Sequence, residues 1–359
     1  MVLSVEFNTH TVLLWAYEGQ TEILSSMVLA EHAEDISGSE KLKEALSSLI
    51  RGRKIEAISF RILFGGDSFK GPVLINKDFF PKFHKLVGLF PFYIPLAESL
   101  LKYFYNVYPD IPMVAFFETS LFRSLPEEEE CYALPYVYYR EKNIKKWGFG
   151  GILHEYNSSV VGDSSKVISV ILDKQTTVCP LDRGKPLSIS LGYTPLEGVM
   201  GRTSCGDLDP GIIFYLMKRF NFSIFKIDDI LKNKSGLLGL TGYDLDMKGL
   251  FTFYGRDNKV NLAFDIYQNQ ISRYIGEGMA IMSGLDAIVF SGSSLEFLMP
   301  LVYNLIKKIS FLGISVEALP WGKKKGILKV TSRNSVIDIY FNYLNTSYIM
   351  AQDIKKYLP

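Results

Sequence analysis

Residues that build metal sites and disulfide frameworks are scarce in this sequence. Only three cysteines and four histidines occur among 359 residues, and no two cysteines form a CxxC pair. Cys131, Cys179 and Cys205 are odd in number and widely spaced, which is typical of reduced intracellular thiols. The histidines are too scattered to indicate a metal site. A zinc-binding domain or a disulfide-stapled domain is therefore not expected.

The chain also has a net charge of only +1 and no long hydrophobic run. Its 39 Lys and Arg nearly balance 38 Asp and Glu, which gives no reason to expect a nucleic acid or an anionic membrane as partner. The longest uncharged apolar run, at 86–97, contains two prolines and is far shorter than the roughly 20 residues of a membrane helix. The N-terminus has no basic region and reaches Glu6 early, so no signal peptide is predicted. We expect a soluble, cytoplasmic protein.

The composition is that of a well-buried globular protein. The hydrophobic fraction is 48% and the charged fraction only 21%, whereas disordered chains have the opposite balance. A chain of 359 residues is longer than one ordinary core accommodates and suits two domains.

Two similar three-strand patterns are separated by about half the chain. The first reads VLSVEF, TVLLWAY and EILSSMV, and residues 167–192 repeat the rhythm as VISVILD, TTVCPLD and PLSISLG. Such runs, separated by the short segments NTH and EGQT in the first copy and KQ and RGK in the second, predict antiparallel strands. The repeat predicts a duplicated domain, each copy opening on antiparallel strands and continuing into further strands and helices. Other patterns predict a helix at 39–51 and strands at 55–64 and 112–117.

The segment TPLEGVMGRTSCGDLDP, residues 194–210, is rich in glycine and charge. Its charged side chains are Glu197, Arg202, Asp207 and Asp209. Such a cluster is costly to bury unless it is solvated, paired or bound to a ligand. Pro210 and Asp209 predict the first turn and the N-cap of a helix at 210–221. The segment therefore leads into a helix N-terminus, which favours an anion.

The same segment resembles the acetate kinase signature TPLEGLMMGTRSGDLDP. Residues 116–151 resemble the FDTAFHQTMPE, YALPY and RRYGFHG segments of that family, and 234–250 resemble GLSSDFRDL. Residues 272–292 resemble the strand and helix that precede the family's GGIGEN loop. The resemblance covers nearly the whole chain in order and identifies the sequence as a member of the acetate kinase family.

The resemblance implies an α/β fold of duplicated actin-like (ribonuclease H-like) domains, with mixed sheets flanked by helices and a cleft between them. The implied domains are 1–155, completed by a C-terminal helix at 347–359, and 156–346. Members of the family transfer phosphate reversibly between ATP and a short carboxylate, and they are usually homodimers. Mg²⁺ and ATP or ADP are the cofactors expected for an active enzyme.

Both phosphate-binding bends of the family have lost their glycines here. The family has LNAGSSSLK and HLGNGAS, in which successive backbone N–H groups turn towards a phosphate. The matching segments are VEFNTHTVL at 5–13 and ILDKQTT at 171–177. Asp173 stands where a phosphate should lie and would repel it, and Lys174 does not replace fixed backbone donors. The sequence therefore predicts too few backbone donors for this family's chemistry.

The catalytic positions are retained in part. Arg61 matches a family arginine, Glu118 replaces the catalytic aspartate, and Ser204 replaces the second arginine. Arg202 lies two residues upstream of Ser204, a displacement of about 6–7 Å in an extended segment that an arginine can largely span. The candidate catalytic residues are Arg61, Glu118 and Arg202. The candidate substrate-binding residues, which all depart from the family pattern, are Tyr93, Phe122 and Gly150.

The metal and nucleotide positions have also changed. Glu6 replaces the family's asparagine near the first bend, where it either holds Mg²⁺ or pairs with a neighbouring residue. GGIGEN becomes GSSLEF at 292–297, which loses two glycines that would let the base approach. The resemblance gives these candidate cofactor-binding residues: Gly206, Asp207, Asp246, Lys248, Gly292 and Glu296.

Several of these residues also have a purely structural interpretation. The Gly-Asp-x-Asp-Pro run at 206–210 can fix its loop and cap the next helix, and Arg61 with Glu118 can form an ion pair instead of a catalytic couple. Elsewhere the sequence makes four structural predictions: a solvated turn at 127–130, core or interface packing of YVYYR at 136–140, a hydrogen-bonded core position for His154, and an exposed hairpin turn at 321–326.

Two functional hypotheses remain open from the sequence. The first is a non-catalytic relative of acetate kinase that binds or regulates, either as a homodimer or paired with an active paralogue, and needs no cofactor. The loss of both glycine bends favours it. The second is an ATP-dependent carboxylate kinase with an altered acceptor, in which Arg61, Glu118 and Arg202 act on the substrate and Glu6 organises the metal.

Overall fold

The computed structural model describes residues 1–8, 11–29, 39–91, 93–162, 165–317 and 325–358. The chain forms two compact units. The first unit comprises Met1–Arg123, Gly151–Leu153 and Asn345–Pro359, and the second comprises Ser124–Gly150 and His154–Leu344. The segment 124–150 thus packs with the second unit, while a domain boundary at residue 155 stays a prediction.

Each unit contains one six-stranded sheet. The strands are β1 (Val2–Phe7), β2 (Thr11–Glu18), β3 (Thr21–Leu29), β4 (Ala57–Ile62), β5 (Val73–Leu74), β6 (Met113–Phe117), β7 (Lys166–Ile171), β8 (Thr177–Asp182), β9 (Lys185–Pro186), β10 (Ala287–Ser291), β11 (Ile327–Lys329) and β12 (Asp338–Asn342).

The two sheets have the same topology. The first has the order β3-β2-β1-β4-β6-β5, and the second has the order β9-β8-β7-β10-β12-β11. In each sheet an antiparallel meander is followed by two strands parallel to its first strand, and a short antiparallel strand lies at the far edge. The predicted duplication is therefore confirmed.

Helices surround these sheets. They are α1 (Glu40–Ile50), α2 (Phe79–His84), α3 (Ile94–Val107), α4 (Glu127–Glu130), α5 (Tyr136–Lys142), α6 (Gly151–Val161), α7 (Pro210–Phe220), α8 (Ile224–Asn233), α9 (Gly236–Thr241), α10 (Met247–Phe251), α11 (Asn258–Met282), α12 (Met299–Lys308) and α13 (Thr346–Asp353). Helix α13 packs on β1 and β4, and α11 packs on β7 and β8. The central strands β1, β6 and β10 are buried along their whole length, as expected for parallel strands with both faces covered.

A small polar network lies between helix and sheet in the first unit. The hydroxyl of Ser4 on β1 bonds to the hydroxyl of Ser59 on β4 at 2.7 Å and donates to the carbonyl of Ser347 on α13 at 2.9 Å. The hydroxyl of Tyr17 on β2 bonds to the hydroxyl of Ser347 at 2.8 Å. Because these groups are buried, their mutual bonding fixes how α13 sits on its sheet.

The second unit has a corresponding network beneath α6. The amide of Asn157 donates to the hydroxyls of Ser169 on β7 and Ser291 on β10, each at 2.8 Å, and accepts from the amide of Asn342 on β12 at 2.8 Å. All four side chains are fully buried. The duplication therefore extends from the strand order to the polar contacts that hold a helix on each sheet.

Local signals predict several elements well. The predicted strands at 55–64 and 112–117 correspond to β4 and β6, and the predicted helix at 39–51 is α1, whose N-cap Ser39 accepts from the backbone N–H of Leu42. Helix α7 begins at Pro210, and Asp209 accepts from the N–H of Gly211 at 2.8 Å. These predictions are confirmed.

Three predictions differ from the structure. The strand predicted over 186–192 is regular only to Pro186; beyond it the N–H groups of Leu187 and Ser190 still donate to the backbone of β8, at 2.9 and 3.0 Å. The turn predicted at 127–130 is the helix α4, whose last two glutamates are largely covered. Most of YVYYR is exposed, so its packing in a core is wrong and an interface remains a prediction.

Two further features of the described ranges concern membrane helices and His154. No described helix is both long and apolar enough to cross a membrane. His154 is fully buried and hydrogen-bonded, with 2.7 Å from Nδ1 to the Ser169 hydroxyl and 2.8 Å from Nε2 to the Thr177 hydroxyl. The predicted core position of this histidine is confirmed.

Candidate active site

Three parallel strands place three candidate residues side by side. Glu6 near the end of β1 is in register with Arg61 near the end of β4, and Arg61 is in register with Phe116 on β6, two residues before Glu118. The carboxyl ends of parallel strands meet at one sheet edge, which is where ligands bind in open α/β sheets. The first unit therefore brings Glu6, Arg61 and Glu118 together, whereas the sequence alone left their relation open.

Arg61 bonds to both carboxylates. Its Nη1 donates to Oε2 of Glu6 at 2.9 Å, and its Nε donates to Oε1 of Glu118. The exposed fractions of the side chains are 30% for Arg61, 11% for Glu6 and 1% for Glu118. Burial by itself lowers the pKa of Arg61, but the charges of Glu118 and Glu6 outweigh it and raise the pKa overall. The guanidinium is therefore held ionised between two acids.

Two aromatic residues of the first unit lie at the predicted substrate positions. Tyr93 is buried, its hydroxyl accepts from the backbone N–H of Leu63 at 3.0 Å, and its ring stacks on Phe7 with centroids 5.7 Å apart. Burial raises the pKa of Tyr93. Phe122 is also buried. Both side chains serve the core, and neither supplies the charged donor that an anionic substrate requires.

The backbone conformation explains why glycine occupies position 150. It lies just before α6 with φ +86°, a left-handed conformation that favours glycine. A Cβ atom there would lie 3.2 Å from the ring of His154 and 3.2 Å from the side chain of Ile171. A histidine at this position, as in the family pattern, would therefore be both strained and crowded in this chain.

The charged residues of the segment 194–210 are all paired with groups outside it or with its own backbone. Glu197 accepts from the hydroxyl of Tyr132 and lies 3.4 Å from the Lys146 ammonium. Asp207 accepts from the N–H of Gly198 at 2.7 Å and from the hydroxyl of Tyr274 at 2.6 Å. Burial, followed by the contact with Asp207, raises the pKa of Tyr274.

Gly206 completes this loop architecture. Its φ is +68°, and a Cβ atom would lie 2.6 Å from the carbonyl oxygen of Gly198 and from the N–H nitrogen of Met200. With Asp207 bonded to the loop backbone and Asp209 capping α7, the predicted architectural role of the 206–210 run is confirmed. A role of Gly206 and Asp207 in nucleotide binding stays a prediction.

Arg202 lies beside the second phosphate-binding bend of the family pattern, residues 171–177. Its backbone N–H donates to the carbonyl of Lys174 at 3.4 Å, and its Nη1 lies 2.7 Å from Oδ1 of the exposed Asp244. The hydroxyl of Ser204 donates to the side chain of Gln175 at 2.9 Å, and Gln175 donates to the carbonyl of Val199 at 2.9 Å. The bend is thus tied to the central loop by side chains, a pairing that sequence motifs do not reveal.

The opposite side of the same bend contacts the 292–297 loop. The hydroxyl of Ser293 donates to Asp173. Gly292 has φ +102°, and a Cβ atom there would lie 2.4 Å from the carbonyl oxygen of Leu172. Leu295 is fully buried in the core of the second unit, whereas Glu296 is exposed. Gly292 is therefore required by the close contact between the two loops.

Asp246 and Lys248 lie at the start of α10. Asp246 is its N-cap and accepts from the N–H of Gly249 at 2.7 Å, and both side chains are exposed. Capping alone accounts for an aspartate at this place, since it satisfies an otherwise unpaired backbone donor. Adenosine binding by these residues stays a prediction.

The acidic residues of the described ranges do not form a metal site built from protein ligands alone. Within the described ranges, no three His, Cys, Asp or Glu side chains are arranged to hold a metal ion. Glu6, the predicted ligand, accepts from Arg61 through Oε2, so this oxygen is already engaged by a protein cation. A metal role for Glu6 stays a prediction.

Two predictions concern residues whose structure is not described. The turn of the first phosphate bend contains Thr9 and His10, and most of the basic run at 321–326 also lies outside the described ranges. On the described side of the bend, the N–H of Asn8 donates to the carbonyl of Thr11 at 3.0 Å.

Sequence reasoning missed one ionic network in the second unit. The Lys146 ammonium lies 2.8 Å from Glu129 and 3.4 Å from Glu197, and the hydroxyl of Ser188 joins Glu129 to Glu277. Burial raises the pKa of Glu277, and the charge of Glu129 raises it further. The only available signal was the acidic run after Pro126, because the partners are far apart in sequence.

Comparison with known proteins places this geometry in a family. The sequence profile of the Acetokinase family matches residues 5–351. The chain is 33% identical over 317 residues to an acetate kinase from Dictyoglomus thermophilum, which covers 86% of this chain and 78% of that protein. It is 29% identical over 362 residues to an acetate kinase from Clostridium botulinum strain Eklund 17B, which covers 96% and 89%.

Solved structures of an acetate kinase and a propionate kinase superimpose on this chain. An acetate kinase from Porphyromonas gingivalis superimposes with a TM-score of 0.89 at 22% identity, covering 100% of this chain and 99% of that one. A propionate kinase from Francisella tularensis superimposes with a TM-score of 0.85 at 24% identity, covering 99% of each chain. This likeness shows the fold, and the predicted duplicated actin-like architecture is confirmed. From the profile match and the curated relatives, the chain belongs to the acetokinase family.

Proposed function

We propose that this chain has lost acetate phosphotransfer and acts as a non-catalytic binding or regulatory member of its family. The observation that carries the proposal is the bonding of Arg61 to Glu6 and Glu118. A carboxylate acceptor needs a cationic fork with free donors. Here two protein carboxylates already use two positions of that fork, so an anionic acceptor meets two negative charges for one positive charge.

The second bend supports the same proposal. A transferred phosphoryl group must be cradled by fixed donors because charge spreads over its oxygens in the transition state. Asp173 instead brings a carboxylate to the bend, where it accepts from Ser293, and Ser204 offers no positive charge. Loss of one preorganised donor costs about 10²–10³ in turnover, and several are replaced here.

The test is a direct assay of acetyl phosphate formation from acetate and MgATP. We expect turnover more than about a thousandfold below that of the Dictyoglomus thermophilum acetate kinase measured in parallel. Coupled ADP release and hydroxamate trapping of acetyl phosphate should agree. Robust, protein-dependent acetyl phosphate formation would refute the proposal.

The second candidate is a kinase with an altered acceptor. It is favoured by the direct contact of Arg61 with an acid at the catalytic position, and by the place of Arg202 beside the second bend. Calorimetric titration with MgATP and MgADP distinguishes the two candidates. Binding at micromolar nucleotide supports the kinase, whereas no binding at millimolar nucleotide supports the non-catalytic protein.

We further propose that the exposed apolar face of α7 and α8 mediates self-association. Its exposed side chains are Ile212, Phe214, Tyr215, Met217, Phe220, Ile224 and Phe225. No residue of α7 is buried, although a helix this apolar normally covers a core or an interface. A second copy of this chain is the proposed partner, and an active paralogue is the alternative.

Replacing both Phe214 and Phe225 by aspartate should convert a homodimer into a monomer, because each places a charge in the proposed apolar contact. Light scattering after size-exclusion chromatography measures the mass. Phe311→Asp is the control, since Phe311 is 81% exposed on a different segment of the second unit. A monomeric wild-type chain, or a double variant that stays dimeric, would contradict this interface.

A further inference from the structure

One carboxylate oxygen in the Arg61 cluster has no partner. Oε1 of Glu118 accepts from Arg61, but Oε2 makes no hydrogen bond, and the side chain is only 1% exposed. A buried acceptor without a donor is costly, and native structures rarely leave one without a reason. An ionised oxygen of this kind is satisfied best by an N–H or O–H donor.

The charge of the cluster restricts which donor can approach. The two carboxylates of Glu6 and Glu118 and the guanidinium of Arg61 give the cluster a formal charge of −1. Arg61 is the most exposed of the three, at 30%. A carboxylate ligand would find Nη1 engaged by Glu6 and Nε engaged by Glu118, and it would add a third negative charge.

We propose that Glu6 determines the ligand class of this site, so that it accepts a small N–H or O–H donor without negative charge and excludes carboxylates. The donor group bonds to Oε2 of Glu118, which becomes paired when the ligand is bound. The inference rests on the proposed loss of acetate phosphotransfer, since it names what the site takes in place of acetate. Removing the negative charge of residue 6 should reverse the preference.

Three molecules of nearly the same shape test this proposal: acetate, acetamide and acetamidinium, with charges of −1, 0 and +1. Binding is measured without nucleotide, at pH 7 and constant ionic strength, by thermal shift and by saturation-transfer NMR. For the wild-type chain we expect acetamide or acetamidinium to bind about tenfold or more tightly than acetate, from the charge difference at close range. The order of those two ligands shows whether a neutral or a cationic donor is preferred.

Glu6→Gln is the decisive variant because it keeps a side-chain oxygen for Arg61 while removing one charge. We expect it to raise acetate affinity about tenfold and to lower acetamidinium affinity. Glu118→Gln should weaken binding of both donors. Glu98→Gln is the matched control: Glu98 is also a covered carboxylate of the first unit, but it pairs with His84 and Lys102 on α2 and α3.

Several results would overturn the proposal. One is acetate binding to the wild-type chain as tightly as acetamide, and another is an unchanged order of affinities in Glu6→Gln. A third is the absence of binding by all three molecules at about 100 mM, a dissociation constant worth only about 1.4 kcal/mol of binding free energy, which would mean that water satisfies Glu118. Because no nucleotide is present, these results are independent of the phosphotransfer assay. Acetyl phosphate formation would refute the proposed function and with it the premise of this inference, whereas tight acetate binding without acetyl phosphate formation would overturn the inference alone.

Discussion

Replacing Arg61 by alanine is expected to destabilise the protein by about 3–5 kcal/mol, the largest effect of any single substitution considered for the first unit. The guanidinium compensates two carboxylates, of which Glu118 is almost fully buried and Glu6 is 11% exposed. Without it, both charges remain in a region that water reaches poorly. Urea unfolding at pH 7, followed by fluorescence in a Trp147→Phe, Trp321→Phe background that keeps Trp15 on β2, should show a lower midpoint with an unchanged slope.

Two further variants separate charge compensation from general damage. Arg53→Ala removes an exposed ion pair, since Arg53 and Glu18 are 38% and 58% exposed and 3.6 Å apart, and it should cost less than about 1 kcal/mol. Combining Arg61→Met with Glu6→Gln and Glu118→Gln removes all three charges and should recover most of the lost stability. If Arg61→Ala costs as little as Arg53→Ala, the cluster is not energetically coupled.

Elements with a local cause could be predicted from the sequence. Ser39 and Asp209 accept from backbone N–H groups two or three residues away, so the pattern around each residue contains the whole cap. The meander strands are similarly short, six to nine residues each, and are separated by short turn segments that the sequence shows. Family motifs added the order of the remaining elements.

Elements decided by distant partners could not be predicted. The alternation of PLSISLG indicates a strand, yet Ser188 bonds to Glu129, which lies 59 residues earlier. The segment keeps two backbone bonds to β8 after its regular strand ends at Pro186, but the sequence does not reveal the distant partner of Ser188. Likewise, the acidic run at 127–130 contains two side chains that are covered by Lys145 and Lys146, and nothing in the run itself indicates where its lysines are.

Part of the candidate site could likewise be predicted from the sequence, and part of it depends on distant contacts. Matching the family pattern identified Arg61, Glu118 and Glu6 as one set, but it could not choose between catalysis, metal binding and ion pairing. The register of β1 with β4 decides the contact, because it places Glu6 directly beside Arg61. The loss of the glycines at 171–177 was visible in the sequence, whereas the contact of Asp173 with Ser293 depends on loops 120 residues apart.

The second large effect concerns acid stability and His154. Burial lowers the pKa of His154 from 6.5 to about 3 in the folded chain, so between these values the unfolded state binds one proton more. The contribution of neutral, buried His154 to the free energy of unfolding is therefore fully present above pH 6.5. As the pH falls below 6.5, this contribution is lost at about 1.4 kcal/mol per pH unit. From pH 6.5 to 4.5 we expect a loss of about 2–3 kcal/mol from this residue alone.

The variant His154→Gln tests this pH dependence of stability. Glutamine can still donate and accept towards Ser169 and Thr177, but it does not titrate. Free energies of unfolding at pH 6.5 and 4.5 should fall more steeply for the wild-type chain than for the variant, even if the variant is less stable at pH 6.5. His84→Gln, which removes a histidine whose side chain is 69% exposed, controls for the loss of an imidazole. Parallel curves for wild type and His154→Gln would mean that the buried network between α6 and its sheet opens before acid unfolds the chain, so that His154 takes up its proton in the native state.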